Sequence, residues 1–350
     1  MTKNANIAQP VGVIGAGNFG TAIANLMSRN APVLIYSRQQ ALVDNINNQH
    51  TNQGIQLSDN VRATSDLQQI AEECTLLFPI VPSSAFRHVI TTLAPYLRPY
   101  HILIHGTKGF DLRNHDLEQL SNVTLTKDDV STMSQVITQE TVVVRVGCLS
   151  GPNLASEIIE GQPTATVIAS KFDEVISLGK KVLSSEQFHV FGSHDIIGAE
   201  LAGALKNVIA IGSGILGGLG LGKNIQALLI TRGLMEMIYF GEVMGSTSRA
   251  FYGTAGVGDL VATATSQKSR NYTFGYRLGS GEKVEDILSS MPELAEGVRT
   301  LRMTHRLAKT YKLHVPITQM LYNVVFEGFP IKRALKYLVT YPYDVDVDFL

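Results

Sequence analysis

The chain has 350 residues, 45% of them apolar and 17% charged, whereas a typical soluble domain is about 25% charged, so intrinsic disorder is a poor reading. Lys and Arg total 29 and Asp and Glu 30, a formal net charge of −1; no overall basic field draws nucleic acid or an anionic membrane, and any anion has to be met locally. The length suits two domains at roughly 100–200 residues each.

The opening residues carry no apolar secretory region. Candidate strands then follow at Val11–Ile14, Val33–Tyr36, Val61–Thr64, Thr75–Val81, Ile102–His105, Val142–Leu149 and Thr164–Ala169. Amphipathic stretches of crossover length lie between them at Thr21–Arg29, Ser65–Glu73, Ser83–Leu93 and Phe172–Leu183. This alternation predicts βαβ units and a mainly parallel, doubly wound sheet of Rossmann type over residues 1–192. The polar segment Asn114–Glu140 reads as a loop plus a helix, and Phe191–Ser193 as the linker. Cys74 and Cys148 are the only cysteines, and both lie in apolar runs. They form neither a disulfide framework nor a zinc spacing, which suits a reducing, cytoplasmic setting.

The first strand runs directly into Gly15-Ala16-Gly17-Asn18-Phe19-Gly20 at the opening of a helix. In that context Gly15 permits the tight turn, Gly17 lets the backbone approach a pyrophosphate and Gly20 allows close helix–sheet packing, so the run predicts a dinucleotide site. After the second strand, Arg38 stands where an NAD-selective site usually carries an acid. An arginine can meet a 2′-phosphate, which favours NADP(H) or a dual preference; a solvated surface arginine is the alternative. Lys108 follows the Ile102–His105 strand, and Ser150–Ala155, reading SGPNLA, follows the next. Both sit where open α/β folds bind ligands, although a surface lysine and an ordinary turn explain them equally well.

From about Ser193 the periodicity becomes helical, in Asp195–Gly214, Asn224–Met244, Val284–Ser290, Gly297–Lys309 and Thr318–Gly328. An all-helical second domain over residues 193–350 is therefore expected. The most apolar uncharged stretch, Val208–Gly222, is 15 residues long, short of the ~20 that cross a bilayer, so no membrane span is expected. Lys206 lies inside an apolar helix with Ala199, Ala202 and Gly203 on its face. Desolvation would lower its pKa and make it a proton donor or acceptor near neutrality, against the alternative of a snorkelling lysine. Gly203, Asn207, Ala210, Gly214 and Gly217 or Gly218 form a small-residue stripe that reads as tight helix packing. Asp259 reads as a helix N-cap, and Ser269-Arg270-Asn271 as either a phosphate cradle or a cap with ion pairs. The nine histidines form no ligand spacing, so no metal site is expected.

Taken in order, GAGNFGTA (Gly15–Ala22), Lys108-Gly109, SGPNLA (Ser150–Ala155), LKNVI (Leu205–Ile209), Thr231-Arg232-Gly233, Gly258-Asp259 and Ser269–Asn271 resemble the bacterial NAD(P)-dependent sn-glycerol-3-phosphate dehydrogenase family, from about Val11 to about Gly328. The resemblance implies reversible reduction of dihydroxyacetone phosphate to sn-glycerol 3-phosphate with NADPH or NADH, feeding glycerophospholipid synthesis. It makes Lys206 the catalytic lysine, with Lys108 and Asp259 beside it in the chemistry. Lys108, Gly151, Asn153, Asp259, Ser269, Arg270 and Asn271 match substrate-contacting positions. Asn18, Phe19, Arg38, Lys108, Ala155, Arg270, Leu294 and Glu296 match positions that touch the dinucleotide. Phe19 departs from the family's more usual Trp or Tyr, Lys223 from its usual acid, and segment 114–140 in length. The apolar helical half makes a homodimer plausible. A reductase of another small hydroxy or keto acid on this fold, or a dinucleotide sensor without turnover, is the rival reading.

Overall fold

A computed structural model describes residues 9–113, 117, 123–291 and 295–341. The chain divides into two units, the first ending at Ala199 and the second running from Glu200, with Leu112–Ser131 grouped with the second.

The first unit begins β1 (Val11–Ile14), α1 (Asn18–Met27), β2 (Val33–Tyr36), α2 (Gln40–Gln49), then the two-residue strands β3 (Thr51–Asn52) and β4 (Ile55–Gln56). It continues β5 (Val61–Thr64), α3 (Leu67–Glu73), β6 (Leu76–Pro79), α4 (Ser83–Leu93) and β7 (Ile102–His105). The short strands β8 (Asp111–Leu112) and β9 (Val130–Ser131) pair at the division between units. Then come α5 (Met133–Glu140), β10 (Arg145–Ser150), α6 (Ala155–Ile159), β11 (Thr164–Ser170), α7 (Asp173–Leu183) and β12 (Phe188–Ser193).

Eight strands form one sheet in the order β12-β11-β10-β7-β6-β1-β2-β5. All neighbours are parallel except β10 and β11. The order reverses at β1, so helices cover both faces, as expected for a doubly wound sheet. Successive residues serve opposite faces: Val33 and Ile35 join one apolar layer and Leu34 the other. Burial on both faces is why the inner strands β1, β6 and β7 read as unbroken apolar runs.

The sheet has one strand more than the sequence suggests. Phe191–Ser193, expected as the linker, is instead the end of β12 (Phe188–Ser193), parallel to β11 and at the sheet edge. As an edge strand it alternates buried Phe188 and Val190 with exposed His189 and Phe191, and its Gly192 lets α7 approach, since a Cβ there would lie 2.6 Å from Ile176. Helix α2 also escaped the periodicity, because only Val43 and Ile46 of its ten residues are buried.

In the second unit lie α8 (Ile196–Gly218, its first residues still counted with the first unit), α9 (Lys223–Val243), α10 (Arg249–Tyr252), a π turn at Thr254–Gly258 and α11 (Asp259–Thr265). They are followed by α12 (Arg270–Gly279), α13 (Val284–Ser290), α14 (Glu296–Tyr311), α15 (Pro316–Phe326) and α16 (Ile331–Thr340). Helix α8 has 23 residues, longer than the uncharged stretch suggested, because it starts upstream and includes Glu200 and Lys206. By length and composition it could cross a bilayer, but 89% of its apolar window is buried within the protein, so it is a core helix.

The small-residue stripe is a packing device. A Cβ on Gly214 would lie 2.1 Å from the Tyr272 carbonyl oxygen, and one on Gly218 the same distance from that of Tyr276. From the other side, Gly275 and Gly279 would strike the carbonyls of Ile211 and Ile215 at 2.0 and 2.3 Å. Glycines four apart on both helices let α8 and α12 touch backbone to backbone, which fixes where the start of α12 lies against α8.

Candidate active site

In the first unit the candidate residues gather at the carboxyl ends of the parallel strands. Gly15 has φ +122°, and a Cβ on it would lie 2.1 Å from the Ile80 carbonyl. One on Gly20 would lie 2.0 Å from the carbonyl of Gly15. Both glycines are thus required by packing. Gly17 differs: its backbone is extended and nothing lies within 4 Å of its Cβ position. It opens α1, whose N-terminus no side chain caps, so the first-turn N–H groups and the helix dipole face outward beside exposed Asn18. The Phe19 ring lies against Gly106, 3.1 Å from where a Cβ would stand. Arg38 is exposed just beyond β2. An uncapped helix start, a glycine with open space above it and an exposed arginine past the second strand suit a dinucleotide diphosphate and a ribose phosphate.

The turns after β7 and β10 are joined directly. Lys108 Nζ donates to the Gly151 carbonyl at 2.8 Å, and Gly151, with φ +136°, could carry a side chain only under strain. Asn153 Nδ2 donates to Thr166 Oγ1 at 2.8 Å, Thr166 Oγ1 to the Ser150 carbonyl at 3.0 Å, and Ser150 Oγ to the Ala199 carbonyl at 3.0 Å. Ala155 opens the short helix α6.

In the second unit Lys206 is 5% exposed and Asp259 1%. Lys206 Nζ donates to Asp259 Oδ1 and to Thr263 Oγ1, each at 2.5 Å, and Thr263 Oγ1 donates to Asp259 Oδ1 at 3.3 Å. Asp259 supplies the countercharge that a buried ammonium requires. It is the first residue of α11, but its carboxylate turns to the lysine and caps no helix end, contrary to the N-cap expectation. Lys206 does not snorkel, because its partners lie within the protein interior.

A second polar chain runs beside it in sequence. Asn271 Nδ2 donates to Asn207 Oδ1 at 2.9 Å, and the Gly297 N–H donates to Asn271 Oδ1 at 2.8 Å. This ties α8, α12 and the start of α14 together, with Glu296 the first residue of α14. Ser269 does cap α12, accepting from the Tyr272 N–H at 3.3 Å. Arg270 is exposed at the same helix start. Leu294 lies outside the described residues. Among the described residues no group of three or more His, Cys, Asp or Glu could hold a metal ion.

Two residues carry more than sequence reasoning assigned. The sequence pattern gives Thr263 no role, although it lies one turn beyond Asp259, and places Asn207 in the packing stripe alone. The spacing of four from Asp259 to Thr263 and the adjacency of Asn207 to Lys206 were the available signals.

The fold and these constellations define a two-unit protein with a Rossmann-type dinucleotide-binding half and a helical half holding a buried Lys–Asp–Thr cluster. The family model described as NAD-dependent glycerol-3-phosphate dehydrogenase N-terminus matches residues 10–176, and that of the C-terminus residues 195–336. Glycerol-3-phosphate dehydrogenase [NAD(P)+] from Exiguobacterium sp. is 38% identical over 340 residues, 95% of each chain, and that from Pseudomonas putida 39% over 347 residues, 98% of this chain and 97% of the relative. The crystal structure of glycerol-3-phosphate dehydrogenase from Coxiella burnetii is similar with a TM-score of 0.85 and 31% identity, covering 95% of this chain and 99% of that one. That of the Saccharomyces cerevisiae enzyme has a TM-score of 0.80 and 25% identity, covering 94% and 99%. The chain belongs to the NAD-dependent glycerol-3-phosphate dehydrogenase family.

Proposed function

We propose that this protein catalyses the reversible, NAD(P)-dependent reduction of dihydroxyacetone phosphate to sn-glycerol 3-phosphate. Family membership over nearly the whole chain supports the reaction. The observation that carries the chemistry is the buried Lys206–Asp259–Thr263 cluster.

When bound, the nicotinamide supplies the hydride that reduces the substrate's carbonyl carbon. Lys206, as an ammonium, stabilises the charge gathering on the carbonyl oxygen and delivers a proton to it; in the oxidative direction it takes that proton back. Asp259 holds the ammonium in place and Thr263 fixes its direction. Ser269, Arg270 and Asn271 grip the substrate phosphate, which converts remote binding energy into correct placement of the carbonyl. Lys108, Gly151 and Asn153 contact the same substrate.

Gly15, Gly17, Asn18, Phe19 and Gly20 hold the dinucleotide, with Lys108, Ala155, Arg270, Leu294 and Glu296 as further contacts. Arg38 faces a 2′-phosphate and favours NADPH. On this reading residues 1–192 bind the cofactor and 193–350 bind substrate and carry the lysine. The protein works in the cytoplasm as a homodimer and feeds glycerophospholipid synthesis.

Initial rates of NADPH and NADH oxidation with dihydroxyacetone phosphate, and with unphosphorylated dihydroxyacetone, test the reading. Turnover restricted to the phosphate ester is the expected result. Equal turnover of both would remove the phosphate cradle and favour a reductase of another small keto compound.

A further inference from the structure

The hairpin β3–β4 carries a buried polar residue that the reaction described above does not use. Asn52 is fully buried, and its side chain reaches from the hairpin into the turn between β1 and α1. Its Nδ2 donates to the Ala16 carbonyl at 2.9 Å and to Thr21 Oγ1 at 2.8 Å. Thr21 Oγ1 in turn donates to the Gly17 carbonyl at 2.8 Å. Two consecutive carbonyls of the glycine turn are therefore held by side-chain donors from inside the protein.

The consequence follows from the geometry of a peptide chain. Anion binding at a helix start requires N–H groups to face the ligand and carbonyls to face away, because a carbonyl dipole turned outward would repel a diphosphate. The Gly17 carbonyl already accepts the first helical bond, from the Thr21 N–H at 2.9 Å, whereas the Ala16 carbonyl, whose peptide carries the Gly17 N–H, lies before the helix and is oriented by the side chains that reach it. Asn52 Nδ2 supplies that restraint, with Thr21 Oγ1 3.4 Å from the same carbonyl, and consecutive donors in the chain from Asn52 through Thr21 polarise one another.

A second observation shows which end of the amide the position uses. Asn52 Oδ1 is buried and has no hydrogen-bond partner among the described residues. An apolar residue would avoid that cost, so the position is held by an amide for its two N–H donors. The hairpin is itself anchored on both sides: Asn45 Nδ2 of α2 donates to Thr51 Oγ1 at 3.0 Å, and Asn25 Nδ2 of α1 donates to the Gln56 carbonyl at 3.4 Å.

We infer that Asn52, acting with Thr21, is a positioning residue for the dinucleotide diphosphate, setting the peptide orientation of the glycine turn. The inference rests on the reading that this turn holds the diphosphate.

The test compares Asn52→Ala, Asn52→Asp, Thr21→Val and Gly17→Ala by kinetics and by titration with NADP+ and with adenosine 2′-monophosphate, which lacks the diphosphate. Asn52→Ala should raise the KM for NADPH about tenfold. The KM for dihydroxyacetone phosphate, kcat and the affinity for adenosine 2′-monophosphate should stay near those of the parent. Asn52→Asp, nearly the same shape but without donors, should be no better than alanine. Thr21→Val, should Asn52→Ala fold poorly, should show the same selective loss.

Gly17→Ala separates the inference from the reading beneath it, since its Cβ enters open space and its backbone needs no strain. If Gly17→Ala leaves NADP+ binding unchanged, the glycine turn does not hold the diphosphate and both ideas fall. If Gly17→Ala weakens NADP+ while Asn52→Ala and Thr21→Val do not, or weaken both ligands alike, the positioning role of Asn52 is overturned and the reading stands.

Discussion

The two units build their candidate sites from different materials. In the first, backbone conformation dominates: Gly15 and Gly151 adopt positive φ, Gly17 leaves open space, and the turns all fall where parallel strands end. In the second, side chains dominate: Lys206, Asn207, Asp259, Thr263 and Asn271 come from three helices and meet through buried hydrogen bonds. A backbone site leaves its mark in a short run of sequence, whereas a side-chain site is scattered along it. The two should also fail differently, with the first losing affinity and the second losing turnover and stability together.

The largest effects should come from the buried pair. Lys206→Ala is expected to lower kcat about 10²–10⁴-fold with dihydroxyacetone phosphate, the range for loss of a positioned proton donor. Near-parent turnover would show that the proton comes from elsewhere. Asp259→Ala leaves a buried ammonium without its countercharge and should cost about 3–5 kcal/mol of stability, read by urea denaturation. A first-unit change such as Arg38→Ala should barely move that midpoint.

Next in size is the helix contact. Gly214→Ala drives a Cβ against the Tyr272 backbone, which no rotamer change relieves, and overpacking of this kind costs about 1–3 kcal/mol. Because Ser269 caps α12 and Arg270 and Asn271 open it, the KM for dihydroxyacetone phosphate should rise with it, and more than the KM for NADH, which only Arg270 of the three contacts. In the first unit, Arg38→Ala should raise the KM for NADPH about tenfold and leave that for NADH unchanged. An equal change for both cofactors would remove the 2′-phosphate role.

The smallest effect is on pH dependence, and it belongs to the second unit. Glu236 accepts bonds from the Ile317 N–H (2.5 Å), the Thr318 N–H (2.9 Å) and Thr318 Oγ1 (2.7 Å), yet burial pushes its carboxyl up from 4.5 to about 7. Burial pushes His305, stacked on Tyr322, down from 6.5 to about 4. The acid binds more protons folded than unfolded, so its stabilisation is complete below pH 4.5 and is lost as pH rises toward about 7. The imidazole does the reverse, with a contribution complete above pH 6.5 and lost as pH falls toward about 4. In the parent protein the two slopes oppose each other. Glu236→Gln should therefore make stability fall more steeply on acidification from pH 7 to 5, and His305→Phe should tilt it the other way, by up to about 1 kcal/mol per pH unit. Identical slopes in both variants would show that neither group titrates as described.

How legible each element was depended on how local its cause is. The strands Val11–Ile14, Val33–Tyr36 and Ile102–His105 have the bounds that sequence reading expects, because burial on both faces writes a contiguous apolar run; Val61–Thr64, the edge strand at the other end of the sheet, keeps its bounds through alternation, with Arg62 exposed between Val61 and Ala63. Strand β12 was hidden, since an edge strand needs only every second residue to be apolar and Gly192 imitates a linker. Helix α16 was missed as well; none of its residues is fully buried, so its apolar side is dilute. Lys206 could be singled out because a lysine in an apolar helix needs a reason, but its bond to Thr263 could not be foreseen. Asp259 shows the limit most clearly: an aspartate after glycines looks the same whether it caps a helix or neutralises a lysine 53 positions away.

The sequence by itself determined the doubly wound half, the glycine turn with its strand-to-helix context, the helical character of the rest and the rarity of a lysine among apolar neighbours. Each rests on periodicity or on the steric needs of a few adjacent residues, which act before the chain has folded. The tertiary structure alone decided that Asp259 and Thr263 partner Lys206, that Asn207 and Gly297 hold Asn271, and that Asn52 holds the glycine turn. Those are contacts between residues 26 to 64 positions apart. They exist only once helices and strands have packed, because the free energy that selects them comes from burying polar groups against their partners and from nothing local.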